Sequence, residues 1–362
     1  MSVTLADVAA RAGVSAATVS RVLNGNYPVA GATRHRVLRA VEELEYVVNG
    51  PASALAAATS DLVGVLVNDI ADPFFGIMAG AVQSEIGPPA QTGGGARPVP
   101  LKLAIVCNTG GSSERELTYL TLLQRQRAAA VVLTGGAVED SSHTAALATR
   151  LRRLEAAGSR VVLCGRPPLA AGEEGPHPLT VTFDNRGGAR RLTEHLLSLG
   201  HRRLGYLAGP ANRTTTRHRL EGHRVAMAAA GLADDAERLT VHGAYDRASG
   251  YDGALELLRR EPGLTAILAA NDTVALGVCA ALRDQGLSIP GDVSVTGFDD
   301  LPFAVDAMPA LTTVRLPLTE AGARAGRLAL GREDAPPGGV ATFRGDLMVR
   351  DSTAPPRTSG GA

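Results

Sequence analysis

The segment VTLADVAARAGVSAATVSRVLNG, residues 3–25, holds two short helical patterns on either side of one glycine. Thr4, with Asp7 three residues on, is a capping-box variant in which hydroxyl and carboxylate cover backbone N–H groups that a helix start leaves open, and it predicts a helix over 5–12. Gly13 suits the left-handed conformation that ends a helix, with Val14 turning back into a small core. Ser15 caps a second helix over 16–23. Leu5, Val8, Ala9, Val14, Val19, Val22 and Leu23 close the angle between the two helices. A third helix, 33–46, offers Val37, Leu38, Val41 and Leu44 at helical spacing. Two short helices around a glycine turn, with a third completing the core, make a helix-turn-helix.

Charge points the same way. The whole chain is neutral, with 36 Lys+Arg against 36 Asp+Glu, so it is no uniformly basic polyanion binder. Residues 1–41, however, carry Arg11, Arg21, Arg34, Arg36 and Arg39 against Asp7 alone. A local cationic face on a helix-turn-helix predicts contact with double-stranded DNA.

Outward from this module the composition changes twice. Residues 47–60, VVNGPASALAAATS, are small and alanine-rich and read as a linker. From Asp61 onward apolar runs alternate with helical segments: LVGVLV at 62–67, LKLAIVC at 101–107, AAVVLT at 129–134, RVVLCG at 160–165, RLGYLAG at 203–209, TAILAAN at 265–271 and VSVTGFDD at 293–300. Short continuous apolar runs between helices predict parallel strands buried on both faces, and hence a doubly wound α/β fold. The length of 61–350 favours two lobes over one core. GPPAQTGGGARPVP at 87–100 has too much Pro and Gly for a helix or a central strand and reads as an exposed loop.

These residues resemble the LacI/GalR family of bacterial transcription repressors. The V-S-x-x-T-V-S-R-V-L-N string at 14–24 carries most of the resemblance, and VLRAVEELEY extends it. Asp72-Pro73-Phe74-Phe75, Phe183-Asp184-Asn185, RHRLEGHRVAM, AANDTVALG, GLSIPGDVSVTGFDD and LTTVRLP carry it along nearly the whole chain, the 87–100 insertion excepted. The resemblance implies an all-α helix-turn-helix headpiece (1–46), a hinge helix (47–60) and a periplasmic-binding-protein-like core of two doubly wound lobes (61–352). Lobe one would take about 61–185 and 314–331, lobe two about 186–313 and 332–352. The chain would cross between them near 184–187, 310–314 and 331–335. A disordered tail, 353–362, would follow.

Carried over position by position, the resemblance places Ala16, Ala17 and Arg21 against base edges. Thr4, Ser15, Thr18, Ser20, Asn24 and Thr33 would contact mainly phosphate or backbone. An alanine offers a base only a methyl contact, whereas Arg21 can donate two hydrogen bonds to a guanine. Leu55 would wedge into the minor groove. Two departures bear on the hinge: Val48 stands where the family has proline, and Ser53 where it has arginine. Gly50 further lowers helix propensity, by about 1 kcal/mol relative to Ala. Weaker or more salt-sensitive operator binding than the family norm is therefore expected.

In the core the resemblance assigns ligand contact to Phe74, Asp184, Arg219, Tyr245, Asn271 and Asp299. Carboxylate, amide and guanidinium groups beside aromatic faces suit a polyhydroxylated molecule, whose hydroxyls both donate and accept. Phe75 is expected in the core, and Asp272 and Asp300 divide between helix caps and ligand contacts. The implied protein is a cytoplasmic homodimer on a pseudo-palindromic operator, controlled by a sugar, without cofactor, metal or membrane partner. A purine- or nucleoside-responsive regulator and a solute-binding protein without a DNA function are the alternatives. An enzyme is disfavoured: there is no G-x-S-x-G or H-E-x-x-H, and no nucleophile beside His195, His201 or His218. Cys107, Cys164 and Cys279 sit in apolar runs and read as small hydrophobes. No basic-then-apolar export signal opens the sequence, and no run approaches the ~18 apolar residues of a membrane span.

Overall fold

A computed structural model describes residues 3–24, 28–46, 59–87, 102–169 and 178–357. The hinge segment with Val48, Gly50, Ser53 and Leu55, and nearly all of the 87–100 insertion, lie outside the described residues. The chain forms two compact units, Met1–Ser60 and Asp61–Ala362.

The first unit contains helices Leu5–Ala12, Ala16–Asn24 and Gly31–Glu43. The capping box forms as the sequence predicts: Thr4 N–H donates to the Asp7 carboxylate at 2.8 Å, and Asp7 N–H to Thr4 Oγ1 at 3.4 Å. Gly13 adopts φ 66°, and Val14 N–H closes back onto Ala9 O at 3.1 Å. Val8, Ala9, Ala12, Val19, Val37 and Ala40 form the buried centre. The third helix is set earlier than expected. It begins at Gly31 and ends at Glu43, because Glu45 turns to φ 47°. Leu38, expected inside, is 45% exposed, since Val37 and Ala40 hold the inward positions of that turn.

The second unit is built on two parallel sheets. Its strands are β1 Leu62–Val67, β2 Leu103–Asn108, β3 Ala130–Thr134, β4 Arg160–Cys164, β5 Leu179–Phe183, β6 Leu204–Ala208, β7 Thr240–His242, β8 Ala266–Ala269, β9 Ser294–Thr296, β10 Thr313–Arg315, β11 Val340–Phe343 and β12 Asp346–Met348. Lobe one orders its strands β11-β5-β4-β3-β1-β2, and lobe two β7-β6-β8-β9. Helices Pro73–Ile86 and Leu318–Leu330 cover one face of the first sheet, and Ser113–Arg125 and Ser141–Ala156 the other. In lobe two, Asn185–Ser198 packs on Thr214–Ala229, and Arg247–Arg260 on Asp272–Asp284. Gly222 and Gly277 sit where these pairs meet. A Cβ there would run into the Arg186 and Arg247 carbonyl oxygens. The expectation of strands buried on both faces fails at β2. It is the sheet edge, and Leu103, Ile105 and Val106 are 61%, 38% and 39% exposed.

Among the described residues three passages join the lobes, and the structure corrects their placement. The first follows β5, as expected. The second comes after β10, which runs beside lobe two through the Thr296–Thr312 and Asp299–Arg315 bridges, so the chain leaves at 316–317 and not at 310–314. The third lies at 344–345 and not at 331–335. β11 pairs with β5 in the first sheet, Val340 opposite Thr180, so 340–343 belongs to lobe one. β12 then returns to pair antiparallel with β10. The disorder predicted for 353–362 fails over 353–357, while 358–362 lie outside the described residues. His201 Nε2 bonds Ala354 O at 2.9 Å, His195 Nε2 bonds Thr353 Oγ1 at 3.2 Å, and Arg357 pairs with Asp292. Order is therefore present through 357, with two of the histidines fastening the end of the chain.

Candidate functional site

Open parallel sheets leave a crevice beyond the carboxyl ends of their strands, where loops and helix N-termini present unpaired polar groups. Here both sheets do so toward each other. A cavity of about 380 Å³ is lined from lobe one by Asn68, Asp69, Asp72, Phe74, Phe75, Gly135, Gly165 and Phe183, and from lobe two by Arg213, Thr215, Arg219, Tyr245, Asn271 and Asp299. Asn185, at the first passage, completes it.

Arg219 forms the floor. It is 4% exposed and stacks over the Phe298 ring, with its guanidinium carbon 3.8 Å from the ring centroid. Its Nε donates to Asn185 Oδ1 at 2.8 Å, Nη1 to Ala270 O at 2.6 Å and Nη2 to Asp299 Oδ1 at 2.7 Å. Burial pushes the Asp299 carboxyl up and Arg219 pulls it back, leaving it at about 6. Asp299 has φ 105°, a conformation side chains rarely adopt. Its N–H donates to Val314 O at 2.8 Å, and its carbonyl accepts from Leu316 N–H at 3.3 Å, so the second passage holds the strained residue in place.

The walls mix rings with helix caps. Phe74 and Phe75 meet edge to face at 5.0 Å and both line the cavity, which corrects the assignment of Phe75 to the core alone. Its ring reaches past the core because Gly135, at φ 78°, leaves room for it: a Cβ there would lie 2.7 Å from the ring. Tyr245 Oη bonds Thr216 Oγ1 at 2.7 Å. Asp72 and Asn271 line the cavity while capping helices through Phe74 N–H and Val274 N–H, each at 2.9 Å. Burial, reinforced by Asp69, holds the Asp72 carboxyl above its ordinary range.

Five of the six predicted ligand residues, Phe74, Arg219, Tyr245, Asn271 and Asp299, come together. Asp184 does not line the cavity. Its carboxylate caps its own helix through Gly187 N–H at 2.8 Å and faces Arg191 at 3.5 Å, and the neighbouring Asn185 takes the cavity position. Asp272 is fully buried behind the site, accepting from Leu301 N–H at 2.7 Å and Thr313 Oγ1 at 2.6 Å. Asp300 caps no helix among the described residues and pairs with Arg315 and Arg350. Sequence reading missed Asn68, Asp69, Arg213 and Thr215. The polar endings of β1 and β6 were the signal available for them.

In the first unit, Ala16, Ala17 and Arg21 lie on the exposed side of the second helix, with Thr4 and Ser15 also exposed. Thr18 N–H and hydroxyl both meet Ser15 Oγ, at 3.2 and 2.9 Å. Ser20 and Thr33 are half-buried. Asn24 ends the helix, and its side chain lies outside the described residues, as does Leu55. No helix among the described residues is long and apolar enough to cross a membrane.

Comparison with known proteins agrees with both halves of this arrangement. Residues 4–49 match the bacterial regulatory proteins of the lacI family, and 193–353 the periplasmic binding protein-like domain. The chain is 35% identical to the HTH-type transcriptional regulator GalR of Escherichia coli (strain K12) over 355 residues, covering 98% of this chain and 96% of GalR. It is 35% identical to CelR of Thermobifida fusca, covering 96% and 98%. Among solved structures, the transcriptional regulator CelR–cellobiose complex superposes with a TM-score of 0.65 at 33% identity, covering 97% of this chain and 99% of that one. The lac repressor dimer bound to operator and the anti-inducer ONPF superposes at 0.73 and 27%, covering 98% and 100%. GalR and CelR are HTH-type transcriptional regulators. With this identity over nearly the whole length of GalR and CelR, and with the helix-turn-helix and periplasmic-binding-protein-like matches in that order, the chain belongs to the LacI family of bacterial transcriptional regulators.

Proposed function

We propose that this regulator is a cytoplasmic repressor whose operator affinity is set by a sugar bound between the lobes. The observation that carries the reading is the Asn185–Arg219–Asp299 floor beneath the Phe74 and Phe75 rings. A buried donor–acceptor array under aromatic faces recognises hydroxyls and ring C–H surfaces together. The cellobiose bound by the related CelR supports the ligand class. A ligand controls the operator only through unequal affinity for two core states, and the three interlobe passages give the lobes the freedom to have two.

The protein acts as a homodimer that matches a pseudo-palindromic operator. The apolar edge of β2 supports this, since exposed Leu103, Ile105 and Val106, with Leu122 on the helix Ser113–Arg125 that follows the strand, leave an apolar surface among the described residues that a second copy can cover. Ile105→Asp should shift the protein toward monomer in light scattering and weaken operator retention. Arg21 reads a base edge, and Thr4, Ser15, Thr18, Ser20, Asn24 and Thr33 hold phosphates. Leu55 wedges the minor groove, and Ser53→Arg should tighten binding in fixed-salt titrations.

The deciding experiment is a thermal-shift screen of sugars and nucleosides followed by gel shift on selected operators. A cognate ligand stabilises the protein by mass action. Arg219→Ala should abolish that stabilisation and the operator response while leaving operator binding intact. A response to nucleosides alone would replace the sugar, and no selected duplex at low salt would end the DNA reading.

A further inference from the structure

Two loops meet across the mouth of the cleft, one from each lobe. Residues 135–139 follow β3 in lobe one, and 210–213, running into the first turn of the helix Thr214–Ala229, follow β6 in lobe two. Val138 and Arg213 form an antiparallel bridge. Around it, Glu139 N–H donates to Asn212 O at 2.7 Å, Thr214 N–H to Ala137 O at 3.0 Å, and Ala137 N–H to Thr214 Oγ1 at 3.0 Å. Arg213 reaches further into lobe one, donating to Gly111 O at 2.8 Å and Gly136 O at 3.4 Å. Just outside the cavity, Arg217 Nε donates to Glu139 Oε1 at 2.7 Å, while its Nη1 meets Glu221 of its own helix at 3.0 Å.

We propose that Glu139 and Arg217 form an interlobe latch with this backbone seam. They are positioning residues that favour the closed cleft and do not themselves touch the effector. Separating the lobes must break every one of these bonds in a single step, so a half-exposed ion pair that contributes little alone acts on a cooperative opening. The lobe-one half is fixed from beneath, where the buried Arg166 donates to Thr134 O at 3.3 Å and Gly135 O at 3.2 Å. A ligand that needs the closed cleft has an apparent affinity proportional to the closed fraction, so the latch tunes effector response from outside the site. That consequence rests on the effector reading above; the latch itself does not.

Hydrogen exchange of the full-length protein followed by mass spectrometry tests it directly, because Ala137, Glu139 and Thr214 N–H groups are latch donors. Glu139→Arg places like charges together and should speed exchange in peptides spanning 135–140 and 210–216 by about five- to tenfold, leaving other core peptides unchanged. Glu221→Gln removes the other carboxylate of the same arginine, within one lobe, and should leave both peptides at wild-type rates. Unchanged exchange in Glu139→Arg, or equal acceleration in Glu221→Gln, overturns the latch. Calorimetry with cellobiose and ribose separates the two readings. A sugar that wild type binds should bind Glu139→Arg several-fold more weakly, and unchanged affinity removes the latch's role in effector control. If neither sugar binds, the effector reading loses those probes while exchange still decides the latch.

Discussion

Arg166 and Arg219 are the two arginines buried among the described residues, at 2% and 4% exposure, and each pairs with a buried carboxylate and a backbone carbonyl. Arg166 spends its donors on Glu116, at 3.3 and 3.0 Å, and on the Thr134 and Gly135 carbonyls, with His143 Nε2 3.3 Å from the same carboxylate. Burial pushes the Glu116 carboxyl up, but Arg166 and His143 outweigh it and bring it down to about 2. Arg219 stacks on Phe298 and faces open space, and its carboxylate, Asp299, is left near 6. Burial with a carboxylate therefore does not mark a binding site. What separates the two pairs is that one is enclosed on every side and the other keeps a face on the cavity.

The sharpest test is Arg166→Met. It strands a carboxylate in the interior, and urea unfolding should show a loss of about 3–5 kcal/mol. Arg219→Met should cost less, about 2 kcal/mol, because Asp299 can escape by protonation. The two deficits should also fade at different acidities. Glu116 is depressed below its ordinary 4.5, so its stabilisation is present above 4.5 and is lost as pH falls toward 2. Asp299 is raised above 3.8, so it favours the fold most below 3.8 and loses that advantage as pH climbs through about 6. The Arg219→Met deficit should thus shrink by pH 5 while that of Arg166→Met persists to about pH 4.5. Equal pH dependence would erase the distinction.

A smaller effect is expected at Asp272. Burial, with Asp299 adding to it, raises its carboxyl to about 8. Wild type should lose stability as pH rises from 5 to 8, and Asp272→Asn should flatten that slope by at least about 1 kcal/mol. The smallest change, Thr4→Ala, removes a cap from the separate first unit. It should cost that unit about 1 kcal/mol in thermal unfolding and leave the acid responses of both arginine pairs unmoved.

The sequence picked out Arg219 but not Arg166. Arg219 sits in a string carried by the family resemblance, RHRLEGHRVAM, whereas Arg166 follows β4 in a run of no evident pattern. Asp184 and Asn185 show the same limit at one-residue resolution. Both follow a strand, and only the start of the helix decides which one caps it and which one turns to the cavity.

Local rules settled the capping box at Thr4 and Asp7, the left-handed Gly13 and the main strands of both lobes, because each depends on neighbours within a few residues. Tertiary structure alone decided that β11 joins the first sheet, that Phe75 looks into the cleft past Gly135, and that residues 353–357 are fastened by His195 and His201. Those outcomes depend on partners tens to hundreds of residues away. Backbone pairing and room for a side chain are set there by what arrives from elsewhere in the chain, which no local pattern encodes.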